Sequence, residues 1–129
     1  MKHPILVVDD EADLVTTYER ILRRQGYRVL SAGTCRAGLL VVQAEPLGLV
    51  IADVRLPDGD GLDVVRAACA LRVPPPVLVA SGLASHTVRE AALAAGASAF
   101  LAKPFGTEAF IRLVRQLVMA SREDDHGLR

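Results

Sequence analysis

Apolar residues along this chain follow two alternating rhythms. Unbroken runs at Ile5 to Val8, Leu47 to Ala52, Val77 to Ala80 and Phe100 to Ala102 are too short for helices and read as strands buried on both faces. Arg28 to Ala32 adds a second strand in chain order. Between these runs the spacing becomes helical. Leu14, Val15, Tyr18, Ile21 and Leu22 recur on one face, and Gly26 can close that helix in a left-handed conformation. Thr34 caps a helix reaching to about Glu45, before Pro46. Asp60 caps another from Leu62 to Leu71, with Asp63 as an acidic variant of the capping box. Pro74, Pro75 and Pro76 block helix continuation and lead into the fourth strand. Ser85 caps Thr87 to Ala95, which Gly96 stops, and a final helix runs from about Thr107 to Ala120. Five strand-plus-helix units of these lengths predict an α/β domain with a parallel sheet covered on both faces.

Four of the strands end in residues suited to a phosphoryl group and a divalent cation: Asp9 and Asp10, Asp53, Ser81, and Lys103 followed by Pro104. In an open parallel sheet the C-terminal strand ends share one edge, and ligands bind in the crevice there. Taken singly, each residue has an ordinary reading. An acidic pair before a helix is usually a cap, and Asp10 is expected to cap here as well. Asp53 and Ser81 could be turn formers, and Lys103 a solvated charge. The topology decides otherwise, because it makes all five meet. Carboxylates so placed repel; at an effective dielectric near 20, two unit charges ~4 Å apart cost about 4 kcal/mol. A hard divalent cation relieves that repulsion, and oxygen donors favour Mg²⁺ over softer metals.

The 129 residues suffice for one domain with a sizeable core. Fifteen basic and fifteen acidic residues cancel, so nothing global draws the chain to nucleic acid or to an anionic membrane. No apolar run approaches the ~20 residues that span a bilayer, and no signal peptide is visible. Cys35 and Cys69 have neither metal-ligand spacing nor a disulfide framework. A reduced, cytoplasmic protein is the expectation.

Placement and chemistry together resemble the receiver domain of two-component response regulators, over roughly Pro4 to Met119. The resemblance rests on the Asp9 and Asp10 pair, on Asp53 within Ala-Asp-Val-Arg-Leu-Pro-Asp-Gly-Asp-Gly, and on Ser81 before Gly82. Gly96-Ala97-Ser98-Ala99-Phe100-Leu101-Ala102-Lys103-Pro104-Phe105 completes it. It implies a flavodoxin-like sheet of order 2-1-3-4-5 flanked by five helices, with residues 1–121 as the receiver and 122–129 as a frayed tail or the start of a linker. It also implies that Asp53 accepts a phosphoryl group from a sensor histidine kinase or phosphotransfer protein, with Ser81 and Lys103 at the phosphoryl oxygens. Asp10 and Asp53 would bind Mg²⁺ directly and Asp9 mainly through water, with the backbone carbonyl of Arg55 as a further ligand. Ser81 and Phe100 would be the switch pair, although phenylalanine lacks the hydroxyl a tyrosine would bring. Lys103–Pro104 is a candidate cis bond. Such a domain is not an enzyme beyond assisting its own phosphotransfer and slow self-hydrolysis, whose rate Arg55 and Leu83 would tune.

Other readings fare worse. A degenerate receiver acting as a phosphorylation-independent interaction module is the alternative, and the complete acidic triad with Ser81 and Lys103 disfavours it. No extra general base near Asp53 suggests a dedicated phosphatase. Asp58-Gly59-Asp60-Gly61-Leu62-Asp63 fails as an EF-hand, since Leu62 falls on a ligand position and Asp63 on the required glycine. No phosphate-binding glycine loop follows the first strand. On the final helix, Ala109, Phe110, Ile111, Leu113, Val114, Leu117, Val118 and Ala120 cover an arc of roughly 200°. A core-facing stripe needs only a little over ~100°. The excess, beside an Ala-rich fourth helix, predicts a homodimer or effector contact through the fourth helix, fifth strand and fifth helix. No DNA-binding or enzymatic module is expected within these residues.

Overall fold

The computed structural model describes residues 3–127, with side chains through Ser121. In chain order the elements are β1 (Ile5–Val8), α1 (Ala12–Arg24), β2 (Val29–Ala32), α2 (Cys35–Ala44), β3 (Leu49–Ala52) and the two-residue strands β4 (Arg55–Leu56) and β5 (Gly59–Asp60). They continue with α3 (Leu62–Cys69), β6 (Val77–Ser81), α4 (His86–Ala94), β7 (Ala99–Ala102) and α5 (Thr107–Gly127). The main sheet has the order β2-β1-β3-β6-β7, with every pairing parallel. Setting aside the antiparallel β4–β5 hairpin, this is the expected 2-1-3-4-5 arrangement.

Side-chain alternation builds two cores. Leu6, Val8, Val50, Ala52, Val77 and Val79 face α2, α3 and α4, where Val42, Val64, Val65, Ala68 and Ala92 are buried. Ile5, Val7, Leu49, Ile51, Leu78 and Ala80 face α1 and α5, meeting Tyr18, Leu22, Phe110 and Val114. With both faces covered, the central strands need apolar residues at every position, which is why they read as unbroken runs.

Most helix ends follow the sequence signals. Thr34 and Ser85 accept the N–H groups of Ala37 and Val88, and Gly26 and Gly96 end their helices at φ +90° and +111°. Two details differ. Asp60 does accept the Leu62 N–H at 2.9 Å, but Asp63 turns to Arg66 at 3.1 Å instead of closing a capping box, and α3 ends at Cys69. Asp63 is a residue too short to reach back as a glutamate would. At α1 the N-cap is Glu11, without a side-chain cap; Asp9 Oδ1 accepts the Glu11 N–H at 3.0 Å in place of the cap expected from Asp10.

The β4–β5 hairpin is a feature the pattern of apolar residues did not predict. Its Asp58 carboxylate accepts the N–H groups of Cys35 at 2.7 Å and Arg36 at 3.0 Å, satisfying the first turn of α2. Those bonds hold Asp58 below the usual carboxylate range. The chain then turns into α3 at Gly61, where a Cβ would overlap the Asp53 carbonyl oxygen. Only glycine allows that approach. At the far end, α5 continues to Gly127, past the last apolar position at Ala120. Of the expected tail over 122–129, the side chains and the final two residues lie outside the described residues.

Candidate functional site

Register brings the strand ends level. Val8 pairs with both Ala32 and Ala52, and Ser81 pairs with Ala102. The ladder continues one residue further: Asp9 N–H donates to Ala32, Asp53 N–H to Val8 and Lys103 N–H to Ser81. The backbones of Asp9, Asp53 and Lys103 are thus fixed by the sheet itself, with Ser81 as the last residue of β6. Asp9 and Asp53 flank the point between β1 and β3 where the strand order reverses.

Among the described residues the buried polar and charged side chains are Asp9, Asp53 and Ser81, at 3%, 8% and 1% exposure. Every such exception to the apolar core sits at this one edge. The Lys103 ammonium donates to Asp9 Oδ2 at 2.8 Å and to Asp53 Oδ2 at 2.9 Å, with Glu11 Oε1 more loosely placed at 3.8 Å. Burial by itself would lower the proton affinity of Lys103. The hydrogen bonds and charges of Asp9 and Asp53 outweigh it, and the ammonium is held well above the usual lysine range. Asp53 Oδ1 accepts the Arg55 N–H at 3.3 Å, and Ser81 Oγ accepts the Leu83 N–H at 3.1 Å. The Lys103–Pro104 peptide bond is cis.

Asp10, Asp53, Arg55, Ser81, Leu83 and Lys103 line one open groove of about 870 Å³. The structure therefore brings together every site residue read from the sequence except Phe100. That ring lies on β7, with the Arg89 guanidinium 4.8 Å from its centroid. Two neighbours were missed. Glu11 is a third acidic residue in the Asp9-Asp10-Glu11 run, which was itself the available signal. Tyr18 was read only as core. Its ring does stack on Phe105 at a centroid distance of 5.9 Å and packs, tilted, against Phe110 at 5.2 Å. Its hydroxyl, however, is buried without a hydrogen-bond partner, in a residue that lines the same groove. An unpaired buried hydroxyl costs about 1–3 kcal/mol. Burial pushes that phenol well above the usual range; Lys103 opposes the shift, and Asp9, Asp53 and Glu11 add to it.

Residues 5–115 match the family described as the response regulator receiver domain. The chain belongs to that family. Receiver domains are signalling modules, and this one is 37% identical over 102 residues to the KDP operon transcriptional regulatory protein KdpE of Escherichia coli, covering 79% of this chain and 45% of KdpE. It spans about half the length of the first curated relatives it matches. A CheY-like receiver from Methanospirillum hungatei superposes with a TM-score of 0.91 at 27% identity, over 96% of this receiver and 99% of that chain. A Burkholderia pseudomallei response regulator with a phosphorylated aspartic acid and a calcium ion gives 0.82 at 27%, over 96% and 73%. The receiver of the Pseudomonas aeruginosa histidine kinase PA1611, with magnesium in its active-site cleft, gives 0.82 at 28%, over 92% and 98%.

The donor set of this receiver fits such a cation. One carboxylate oxygen from each of Asp9, Asp10 and Asp53 lies within 4.8 Å of the others. Ligand oxygens around Mg²⁺ at ~2.1 Å stand ~3 to 4 Å apart, so small side-chain movements suffice. No helix among the described residues is long and apolar enough to cross a membrane.

Proposed function

We propose that this receiver is a phosphorylation-driven switch, in which Asp53 takes a phosphoryl group from a sensor histidine kinase or phosphotransfer protein. The observation that carries the reading is the Lys103 ammonium bonded to both buried carboxylates, at the sheet edge that Ser81 also reaches. An Asp53 carboxylate oxygen forms the bond to phosphorus as the donor's P–N or P–O bond breaks. Little covalent help is needed; positioning and charge neutralisation dominate such transfers. Lys103 supplies one positive charge to the transferred oxygens, and the Ser81 hydroxyl turns from Leu83 to donate to another. Asp10, Asp53 and the Arg55 carbonyl would hold Mg²⁺, with Asp9 acting through water. When bound, the cation neutralises charge on the phosphoryl oxygens.

Readout falls to the neighbouring strand. Phe100 pairs with Val79, two residues before Ser81, so a change at Ser81 has a short route to β7. All four residues of β7 are half-buried. On α5, Phe110 and Val114 are buried, whereas Ile111, Leu113, Leu117 and Val118 stay partly exposed and Met119 is 52% exposed. This supports the α4–β7–α5 face as the surface for a second copy or an effector. KdpE is named as a transcriptional regulator, and a receiver supplying the input to such an output accords with this reading.

Incubation with Mg²⁺ and acetyl phosphate should attach one acid-labile phosphoryl group, and Asp53→Asn should abolish it. Normal labelling of Asp53→Asn would overturn the nucleophile assignment. Sedimentation of the same samples reads the partner face: a mass increase confined to the phosphorylated wild type is expected of a homodimer.

A further inference from the structure

Packing accounts for the ring of Tyr18 and not for its oxygen. A phenylalanine would pack on Phe105 and Phe110 equally well, yet the ring carries a hydroxyl, in a residue 1% exposed, that meets no partner. Tyr18 lines the same groove as Asp53, Ser81 and Lys103, and its hydroxyl is buried against that wall with no partner of its own. The Lys103 ammonium has three hydrogens, of which Asp9 and Asp53 take two.

We propose that the Tyr18 hydroxyl is a positioning group for Lys103, accepting a hydrogen bond from its ammonium once Asp53 is phosphorylated. The inference rests on the phosphoacceptor reading of Asp53. Phosphorylation turns that carboxylate into a mixed anhydride, whose carbonyl oxygen is uncharged and a poor acceptor. A divalent cation on the acidic cluster competes with the ammonium for Asp9. Lys103 thereby loses both of its hydrogen-bond partners, keeping only the looser Glu11 carboxylate at 3.8 Å, while the new phosphoryl oxygens supply one. The phenol oxygen, with both lone pairs free, supplies the other, and it fixes the direction from which the ammonium meets the phosphoryl group.

The test uses wild type and Tyr18→Phe with beryllofluoride and Mg²⁺. The chain has two tyrosines, so protein labelled with ¹³C at tyrosine Cζ gives two resonances, assigned by their difference in Tyr18→Phe. The Tyr18 resonance should move on beryllofluoride binding while that of Tyr27 stays. Tyr18→Phe should weaken beryllofluoride binding, followed by ¹⁹F NMR, about fivefold, the size of one net hydrogen bond. Its ligand-free Tm should be equal or higher, which a merely structural hydroxyl would not give. A still Tyr18 resonance beside bound fluoride, or beryllofluoride bound as tightly by Tyr18→Phe, overturns the proposal. Absence of bound fluoride in the wild type overturns the phosphoacceptor reading, and this inference falls with it.

Discussion

Replacing Lys103 with methionine keeps the aliphatic stem and removes only the ammonium. Two charge-assisted hydrogen bonds, of 2.8 and 2.9 Å, vanish together. The carboxylates left behind have side chains only 3% and 9% exposed, so water replaces the lost partner only incompletely. Removing one member of a buried ion pair costs about 3–5 kcal/mol. Asp9 and Asp53 each keep one backbone donor, from Glu11 and Arg55, which argues for the lower end of that range. Lys103→Met should therefore lose about 3 kcal/mol in EDTA. Mg²⁺ at a hundred times its Kd should return about 2.7 kcal/mol. At that same Mg²⁺ concentration the wild type should gain less, because there the cation competes with an ammonium already seated and its Kd is higher. Urea unfolding followed by far-UV circular dichroism measures all four values in a chain that has no tryptophan. The folded proton affinity of Lys103 is raised, so its contribution is fully present below the ordinary value of 10.5 and is lost only as pH rises through the higher folded value. The difference between the two proteins should accordingly be equal at pH 7 and pH 9. Equal stability in EDTA, or equal gains from Mg²⁺, would refute the reasoning.

Two further outcomes come from the segment between Asp53 and α3. Asp58→Asn should lower Tm at neutral pH; because Asp58 is held below its ordinary 3.8, its contribution is lost as pH falls through the folded value, so the gap should close in acid, as thermal melts at pH 7 and pH 2 would show. Gly61→Ala should cost about 1–3 kcal/mol through overpacking against the Asp53 carbonyl and slow acetyl phosphate labelling, and a variant normal in both respects would contradict the close approach.

What the sequence disclosed and what it hid have different physical origins. Strands β1, β3 and β6 were legible because burial on both faces demands an unbroken apolar run, and Asp9, Asp53 and Lys103 because each directly follows such a run. The ends at Gly26 and Gly96 were legible because left-handed backbone favours glycine. Asp58 was not, since its bonds to α2 cross 22 and 23 residues of sequence and no local spacing encodes them. Nor was the role of the Tyr18 hydroxyl: helical periodicity reports which face a residue takes, not whether its polar tip finds a partner. The Arg89 guanidinium over Phe100 is likewise a tertiary contact between α4 and β7.

Asp9, Asp10, Glu11 and Asp53 gather at the mouth of the groove, where Lys103 and Arg55 supply only two positive charges against four negative ones. That imbalance has a kinetic side. A negative field over a cleft repels anions over about a Debye length, ~8 Å at physiological salt. Phosphoryl donors are anions, so on the phosphoacceptor reading the resting cleft slows the approach of its own reagent. A divalent cation held by Asp9, Asp10 and Asp53 would reduce that field and so favour donor encounter after the metal has bound. Without divalent cation, added monovalent salt would speed donor encounter by screening; with it bound, the same salt would matter far less. On that reading the acidic cluster handicaps phosphoryl donors that arrive before the metal.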